Sequence, residues 1–172
     1  MLKREDLEKD SRFKIHKKEL DWLFSKLHIY KYSFEEIQLG KLRRLADDRL
    51  ISLSETVNYK FITNPEDLSL KSQYKEYCKD QENLSDNPER SHLIYANLKD
   101  ELLSNQYDPK KAVIIINQYN IIEDGLHRSC ILLAQYGEKY KVKVVKIKRK
   151  YSKKMIFLSP IYEIKHLFKK QV

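Results

Sequence analysis

Glycine is scarce in this 172-residue chain: there are only three, with four prolines, two cysteines, two methionines and one tryptophan. So little glycine and proline disfavours a collagen-like chain, a flexible linker protein and a turn-rich β-sandwich of short strands. Two cysteines, Cys78 and Cys130, exclude a disulfide scaffold and a cysteine-rich zinc module, and they read as reduced thiols. His16, His28 and His166 have no partners at metal-ligand spacing. No apolar run approaches the roughly 18 residues of a membrane span. The first ten residues, MLKREDLEKD, lack the apolar centre of a secretory signal. The expectation is a soluble, cytoplasmic protein with no membrane span.

What is present is charge. There are 34 basic and 25 acidic residues, a net charge of +9, with 41% of residues hydrophobic. That is enough apolar content for one folded domain and well above the disordered range. The excess positive charge is concentrated. Lys139 to Val172 holds 12 Lys and Arg against one acid, Glu163, giving +11, so the rest of the chain sums to −2. Such a segment attracts phosphate groups on nucleotides, nucleic acid or lipid, or serves as a solvated lysine face. The predominance of Lys over Arg weighs against bidentate base or phosphate readout.

The first half reads as mainly helical. Phe13, Leu20, Leu23, Phe24 and Leu27 follow a helical spacing within Leu2 to Leu27. Ser33 and Glu36 form a capping-box pattern, which predicts a helix from Phe34 to about Asp48 with Ile37, Leu42 and Leu45 buried. Val57 to Ile62 (VNYKFI) is β-prone and predicts a short strand. A helix opens near Asn64-Pro65-Glu66 and runs through Tyr74, Tyr77 and Cys78, and these tyrosines read as core or groove wall. Asp80 to Asn87 reads as a loop. Pro88 opens an amphipathic helix through Leu93, Ile94, Leu98, Leu102 and Leu103.

The second half changes character. Ala112 to Ile116 is a continuous apolar run with the signature of a buried strand. A turn at Gln118-Tyr119-Asn120 leads to a short strand at Ile121-Ile122. Gly125 breaks it, and Leu126 to Tyr136 is helical, ending at Gly137. Lys141 to Lys148 alternates as a strand, with a phase slip at Val144-Val145 that implies a bulge or burial on both faces. Ile161 to Lys170 reads as a terminal helix.

The segment with chemical content is Ile121-Ile122-Glu123-Asp124-Gly125-Leu126-His127-Arg128-Ser129. It runs strand, glycine turn, helix start. Free amides in a helix's first turn and the helix dipole favour an anion there. Gly125 admits a ligand close to the backbone, and His127, Arg128 and Ser129 can donate to phosphate oxygens. Glu123 and Asp124 put carboxylates beside that end. Carboxylates in such a place hold magnesium, accept a proton from an attacking hydroxyl, or orient the basic residues. Asp124 also has the chemistry of a helix cap.

With those residues in view, Ser91 to Lys148 resembles the core of the ParB-like/sulfiredoxin superfamily: helix, strand-turn-strand ending in D-G-x-H-R, helix with a glycine end, strand. The resemblance covers about a third of the chain and implies an α+β fold, a small mixed sheet flanked by helices. On that reading residues 1–50 are a helical N-terminal extension, 51–150 the nucleotide-binding core and 151–172 a basic C-terminal helix or tail. It also implies nucleotide phosphates at the helix start, on Gly125, His127, Arg128 and Ser129. Sulfiredoxins carry a cysteine just before the His-Arg pair, where this chain has Leu126. ParB partition proteins bind CTP and carry a downstream helix-turn-helix, for which the 24 residues after Lys148 are too few.

The motif is closest to the free-serine-kinase-like branch. That implies an ATP- or ADP-dependent kinase using magnesium on a small hydroxyl acceptor, with Asp124, Glu123 and His127 as catalytic candidates. An upstream glutamate is also implied, and Glu55 is the best-placed one. Ser52-Leu53-Ser54-Glu55-Thr56, Glu89-Arg90-Ser91-His92 and the D-G-x-H-R motif also resemble uncharacterised proteins of bacterial surface-polysaccharide clusters. Other readings of the same fold are a nucleic-acid-binding or nuclease protein using the basic C-terminal region, and a non-catalytic nucleotide sensor. His92 at a helix start is a weaker site candidate.

Overall fold

The computed structural model describes residues 2–46, 49–80, 97–102, 104 and 106–149. The fold is mixed α+β. Two helices, α1 (Arg4–Glu8) and α2 (Lys17–Lys26), precede strand β1 (Ile29–Gln38). A hairpin of β2 (Arg43–Ala46) and β3 (Arg49–Ser52) leads through a 3-10 turn (Leu53–Glu55) into helices α3 (Val57–Thr63) and α4 (Leu68–Asp80). Residues 97–102 are helical. Strands β4 (Ile114–Asn117) and β5 (Ile122–Asp124), helix α5 (Leu126–Tyr136) and strand β6 (Lys141–Arg149) complete the described chain.

The main sheet has the order β1-β6-β4-β5. β6 pairs antiparallel with β1 and parallel with β4, and β4 pairs antiparallel with β5. This sheet lies between two cores. On one face Ile114, Ile116, Ile122, Val142 and Val144 pack with Phe61, Tyr74, Cys78 and the buried side of α5. On the other, Val113, Ile115, Val145 and Ile147 pack with Leu7, Phe13, Leu20, Leu23 and Leu27. The phase slip in β6 is therefore burial on both faces. Val144 and Val145 are both fully buried, and the pairing with β1 runs one-to-one from Lys148 opposite Lys31 to Lys141 opposite Gln38.

Several helical expectations fail in the first half. Leu2 to Leu27 is two helices, broken where the Asp10 carboxylate accepts the Arg12 amide at 3.1 Å. The helix expected from Phe34 to Asp48 is instead β1 and the first strand of the β2–β3 hairpin. Tyr32 and Phe34 alternate onto the core shared with α1 and α2, while Ile37 packs against the opposite core. The capping-box spacing coincides with this period-2 pattern of aromatic and branched residues, which the pairing with β6 realises. The first 50 residues are thus no helical appendage: they supply an edge strand of the main sheet and the cover of its second face.

The opposite error occurs at VNYKFI. Thr56 accepts the Tyr59 amide at 3.2 Å as a helix cap, and Asn58, Phe61 and Ile62 are buried at helical spacing. The segment is α3, not a strand. α4 starts after Asp67, whose carboxylate accepts the Ser69 and Leu70 amides. In the second half β4, β5, α5 and β6 fall where the residues predict. Gly137 closes α5 with φ 78°, its amide bonded to the Leu133 carbonyl at 2.9 Å.

The loop expected after Asp80, Pro88, His92, Leu93, Ile94, Leu103, and the basic segment 150–172 with the helix expected there, lie outside the described residues. No helix among the described residues is long and apolar enough to cross a membrane. Within Lys139 to Arg149, Lys141 and Lys146 lie 3.7 Å from Glu36 and Glu35 on β1, and Arg149 lies 3.5 Å from Glu123. That part of the basic segment is partly neutralised by the sheet itself.

Burial on both faces makes neighbouring β6 residues equally costly to truncate. Val144→Ala and Val145→Ala are each expected to lose about 1–3 kcal/mol in denaturant unfolding. A sheet with one solvated face would leave one of the two nearly neutral.

Candidate functional site

The β4–β5 hairpin is organised by Asn117, which is fully buried. Its side-chain oxygen accepts the Tyr119 and Ile121 amides at 2.9 and 3.2 Å. Its amide nitrogen donates to Glu123 at 2.7 Å. Asn120 takes the positive φ of 63° that the turn requires. The register then slips: Ile116 faces Ile122, but Ile115 faces Asp124. This irregularity separates the two carboxylates. Glu123 is nearly buried and bonds Asn117 and Arg149, so it fastens the hairpin. Asp124 meets Arg128 instead, at 3.0 Å. The expectation that both acids stand at the helix start is therefore corrected, and only Asp124 does.

Gly125 begins α5 with φ 89° and ψ 24°, a left-handed conformation that favours glycine. A Cβ there would lie 3.1 Å from the Ile114 Cα, so the helix starts hard against the backbone of β4. No side chain caps α5, which rules out Asp124 as the cap. Ser129 donates its amide to the Gly125 carbonyl at 3.0 Å, which leaves the amides of Leu126, His127 and Arg128 without intrahelical acceptors. Ser129 itself is fully buried, and its hydroxyl is also given to the Gly125 carbonyl at 2.9 Å. It is a helix-internal residue and leaves the expected set of phosphate ligands.

Arg128 folds back from the first turn. One terminal nitrogen donates to Asp124 at 3.0 Å and to the Val113 carbonyl at 3.2 Å. Its Nε is buried with no hydrogen-bond partner among the described residues. Beside it lies a cavity of about 30 Å³ lined by Leu98, Leu102, Gln106, Tyr107 and Lys111 among others. Tyr107 closes the wall: its hydroxyl accepts the Ile114 amide at 3.0 Å and donates to the Lys143 carbonyl at 2.8 Å. Burial pushes its phenol up to about 12.

His127 differs from the expectation most. Its Nε2 lies 3.0 Å from the Asn58 amide nitrogen and 2.9 Å from the Tyr74 hydroxyl, both fully buried groups of α3 and α4. An amide nitrogen only donates, so Nε2 accepts and the ring proton sits on Nδ1. Tyr74 also meets the imidazole edge-on, and stacks on Phe61 with ring centres 4.5 Å apart. Burial and the neighbouring Arg128 charge, with a smaller push from Arg44, bring the imidazole down to about 4, against the opposing pull of Asp124. His127 is therefore neutral near pH 7 and ties α5 to α3 and α4. It brings no positive charge to the helix start.

Glu55 is fully solvent-facing. Its carboxylate accepts the Ser52 amide at 2.7 Å and the Ser52 hydroxyl at 2.6 Å, which holds it below the usual carboxylate range. The turn that carries it does reach α5, since Thr56 lies 3.5 Å from the Cys130 sulfur. Glu55 itself is engaged as a cap of its own turn. Cys130 is buried and its thiol is pushed up to about 12, so it is a packing residue.

Arg44 joins the site from β2 and was not singled out by sequence reasoning. The β2 strand is held to the hairpin by Arg43, whose amide donates to the Asn120 carbonyl at 3.0 Å. Arg44 reaches toward the Ile122 carbonyl at 3.5 Å, and its charge acts on His127, Tyr77 and Cys130. One compositional signal was available: the chain has 8 Arg against 26 Lys, and three of the Arg lie in the seven residues 43–49. Among the described residues no group of three or more His, Cys, Asp or Glu side chains is placed to hold a metal. The chain matches no family model, no curated protein and no solved structure.

The neutral histidine makes a pH prediction. Its folded pKa lies below the free value of 6.5, so the native state binds fewer protons than the unfolded state in the interval between them. His127 therefore costs stability progressively as pH falls from 6.5 to about 4, and nothing further below. An NMR titration of the imidazole is expected to give a midpoint near 4. Thermal unfolding of a His127→Gln variant is expected to lack this segment of the acid dependence. A midpoint near 6.5 would contradict the geometry.

Proposed function

We propose that this protein is a small nucleotide-dependent phosphotransferase with a ParB/sulfiredoxin-like core, closest to the free-serine-kinase-like branch. Its acceptor is a small hydroxyl compound such as an amino acid or sugar precursor, and its donor is ATP or ADP. The observation that carries this reading is the β5–Gly125–α5 turn. There an uncapped helix N-terminus, a glycine in close backbone contact and an Arg128–Asp124 pair meet. The run β4, turn, β5, α5, β6 follows the order that the resemblance implies and supports it.

The roles divide among few residues. The free amides of α5 and the Arg128 guanidinium receive phosphate oxygens. Asp124 is partly exposed, at 37% of its side chain, and orients Arg128 in the free protein. In the transfer the acceptor oxygen bonds to the terminal phosphorus as the bond to the nucleotide's bridging oxygen breaks, and Asp124 takes the hydroxyl proton. His127 contributes by position: uncharged, it fixes α5 to α3 and α4. Phosphoryl transfer of this kind depends on positioning and charge neutralisation rather than on a protein nucleophile. Magnesium fits as an ion held by phosphate oxygens, water and one carboxylate, Asp124, since such ions need no all-protein cage. Bound there, it would neutralise charge on the phosphates.

Calorimetric titration with ATP, ADP and CTP, each with magnesium, tests the reading. Adenine-nucleotide binding is expected, weakened roughly tenfold or more by Arg128→Ala. Asp124→Asn is expected to keep nucleotide binding within a few fold and to abolish transfer to any acceptor. Absence of binding by all three nucleotides overturns the proposal. Binding without turnover in a broad acceptor screen leaves a nucleotide sensor in its place.

A further inference from the structure

The main sheet ends on two edges, β5 and β1. The β5 edge is met by β2, where Arg43 bridges to Ile121 in parallel. The β1 edge has no strand beyond it among the described residues. Its backbone groups can be assigned to sides. The Leu39 amide donates to the Tyr140 carbonyl at 2.9 Å, one step beyond the Gln38–Lys141 pair, so the odd-numbered residues of β1 bond to β6. The amides and carbonyls of Tyr32, Phe34 and Glu36 therefore point outward, and no hydrogen bond takes them up among the described residues.

Such an edge is a template for another strand, and proline, bulges and charge ordinarily blunt it. Lys31 to Gln38 hold no proline and pair with β6 one-to-one, the irregularity in this ladder lying before them at Tyr30. The strand does carry charge, but in a self-complementary pattern. A second copy related by a twofold axis normal to the sheet pairs antiparallel, and residues directly opposite must share a face. Registers centred on a single residue satisfy that. Centred on Glu35, the strand sets Glu35 against itself. Centred on Phe34, it sets Lys31 against Ile37, and centred on Tyr32 it sets Lys31 against Ser33. Centred on Ser33, it sets Lys31 against the partner's Glu35 and Tyr32 against the partner's Phe34, each twice. Opposite charges and paired aromatics are favourable cross-strand neighbours.

The side chains suit that register. Lys31 is exposed and lies opposite Lys148 of β6, a like charge, with no carboxylate partner among the described residues. Glu35 lies 3.7 Å from Lys146, and its side chain is still 40% exposed. Tyr32 and Phe34 are half-buried against Phe13, which leaves part of each ring to a neighbour.

We propose that β1 is a homodimer interface, pairing antiparallel with β1 of a second copy in the register centred on Ser33. The two four-stranded sheets then form one of eight strands, with a β5 edge at each far end. The inference is independent of the phosphotransferase reading.

Sedimentation equilibrium of the full chain tests it, and wild type is expected to dimerise with a Kd on the order of 1–100 µM. Lys31→Glu and Glu35→Lys each set like charges opposite one another twice and are expected to weaken the dimer roughly tenfold or more. An equimolar mixture of the two variants restores both opposite-charge pairs and is expected to recover a heterodimer near wild-type affinity. Lys18→Glu, exposed on α2, changes net charge as Lys31→Glu does and is expected to leave dimerisation unchanged. Hydrogen exchange at the Tyr32, Phe34 and Glu36 amides should slow as wild-type concentration rises. If a single variant fails to fold, that exchange carries the test.

A wild type that stays monomeric to about ten times the upper Kd overturns the inference. A dimer indifferent to both charge reversals overturns it as well, since its contact then lies on another surface. A mixture of the two variants that stays monomeric overturns the register, and so does exchange at the three amides that ignores concentration.

Discussion

The parallel seam between β4 and β6 is the constraint on which the other elements depend. Ile114 to Asn117 run beside Val144 to Ile147, and six of those eight side chains are apolar and buried to within 1%. A seam apolar on both faces must be covered on both. The chain meets this demand with its first residues on one side and its middle on the other: α1 and α2 over one face, and α3, α4 and α5 over the other. β1 then pairs along the whole length of β6 and closes that side. The candidate site inherits its rigidity from this seam, because Gly125 starts α5 in contact with Ile114 of the same strand.

Electrostatically the site is unusual for what is held in check. Two guanidiniums stand near one imidazole, yet only one has a described carboxylate. Burial and those two cations keep His127 neutral, and Asn58 and Tyr74 fix which nitrogen accepts. A histidine in this state is a structural strut with a fixed tautomer, and the positive charge of the turn is left to arginine and the helix amides. This favours anion binding, since arginine keeps its charge across the whole physiological range.

From Ala112 to Gly137 the chain was legible because each residue pattern had one physical reading. A run of branched residues, an Asn-containing turn, a glycine before a helical stripe and another at its end specify strand, turn, helix and stop without reference to neighbours. The first half was not, because its patterns served two structures. Ser33-Phe34-Glu35-Glu36 satisfies both a capping box and an alternating strand, and VNYKFI is β-prone but follows a threonine cap. Pairing with β6 decided the first, and packing on α5 decided the second. Local preference is worth tenths of a kcal/mol per residue, and burial of a strand's apolar face is worth several times more.

By itself the sequence determined an α+β chain, the strand–glycine–helix turn at Asp124 to Arg128, and the concentration of positive charge from Lys139 onward. Those follow from composition and from short-range backbone chemistry, which operate within a few residues. The tertiary structure alone decided which of the motif residues face outward. Ser129 was turned to its own helix, Glu123 to the hairpin and His127 to the buried tyrosine and asparagine of two other helices. It also brought in Arg44 from a strand far upstream of the motif. Side-chain direction and long-range convergence are settled by packing, since a burial cost is fixed only when all the walls of a site are in place.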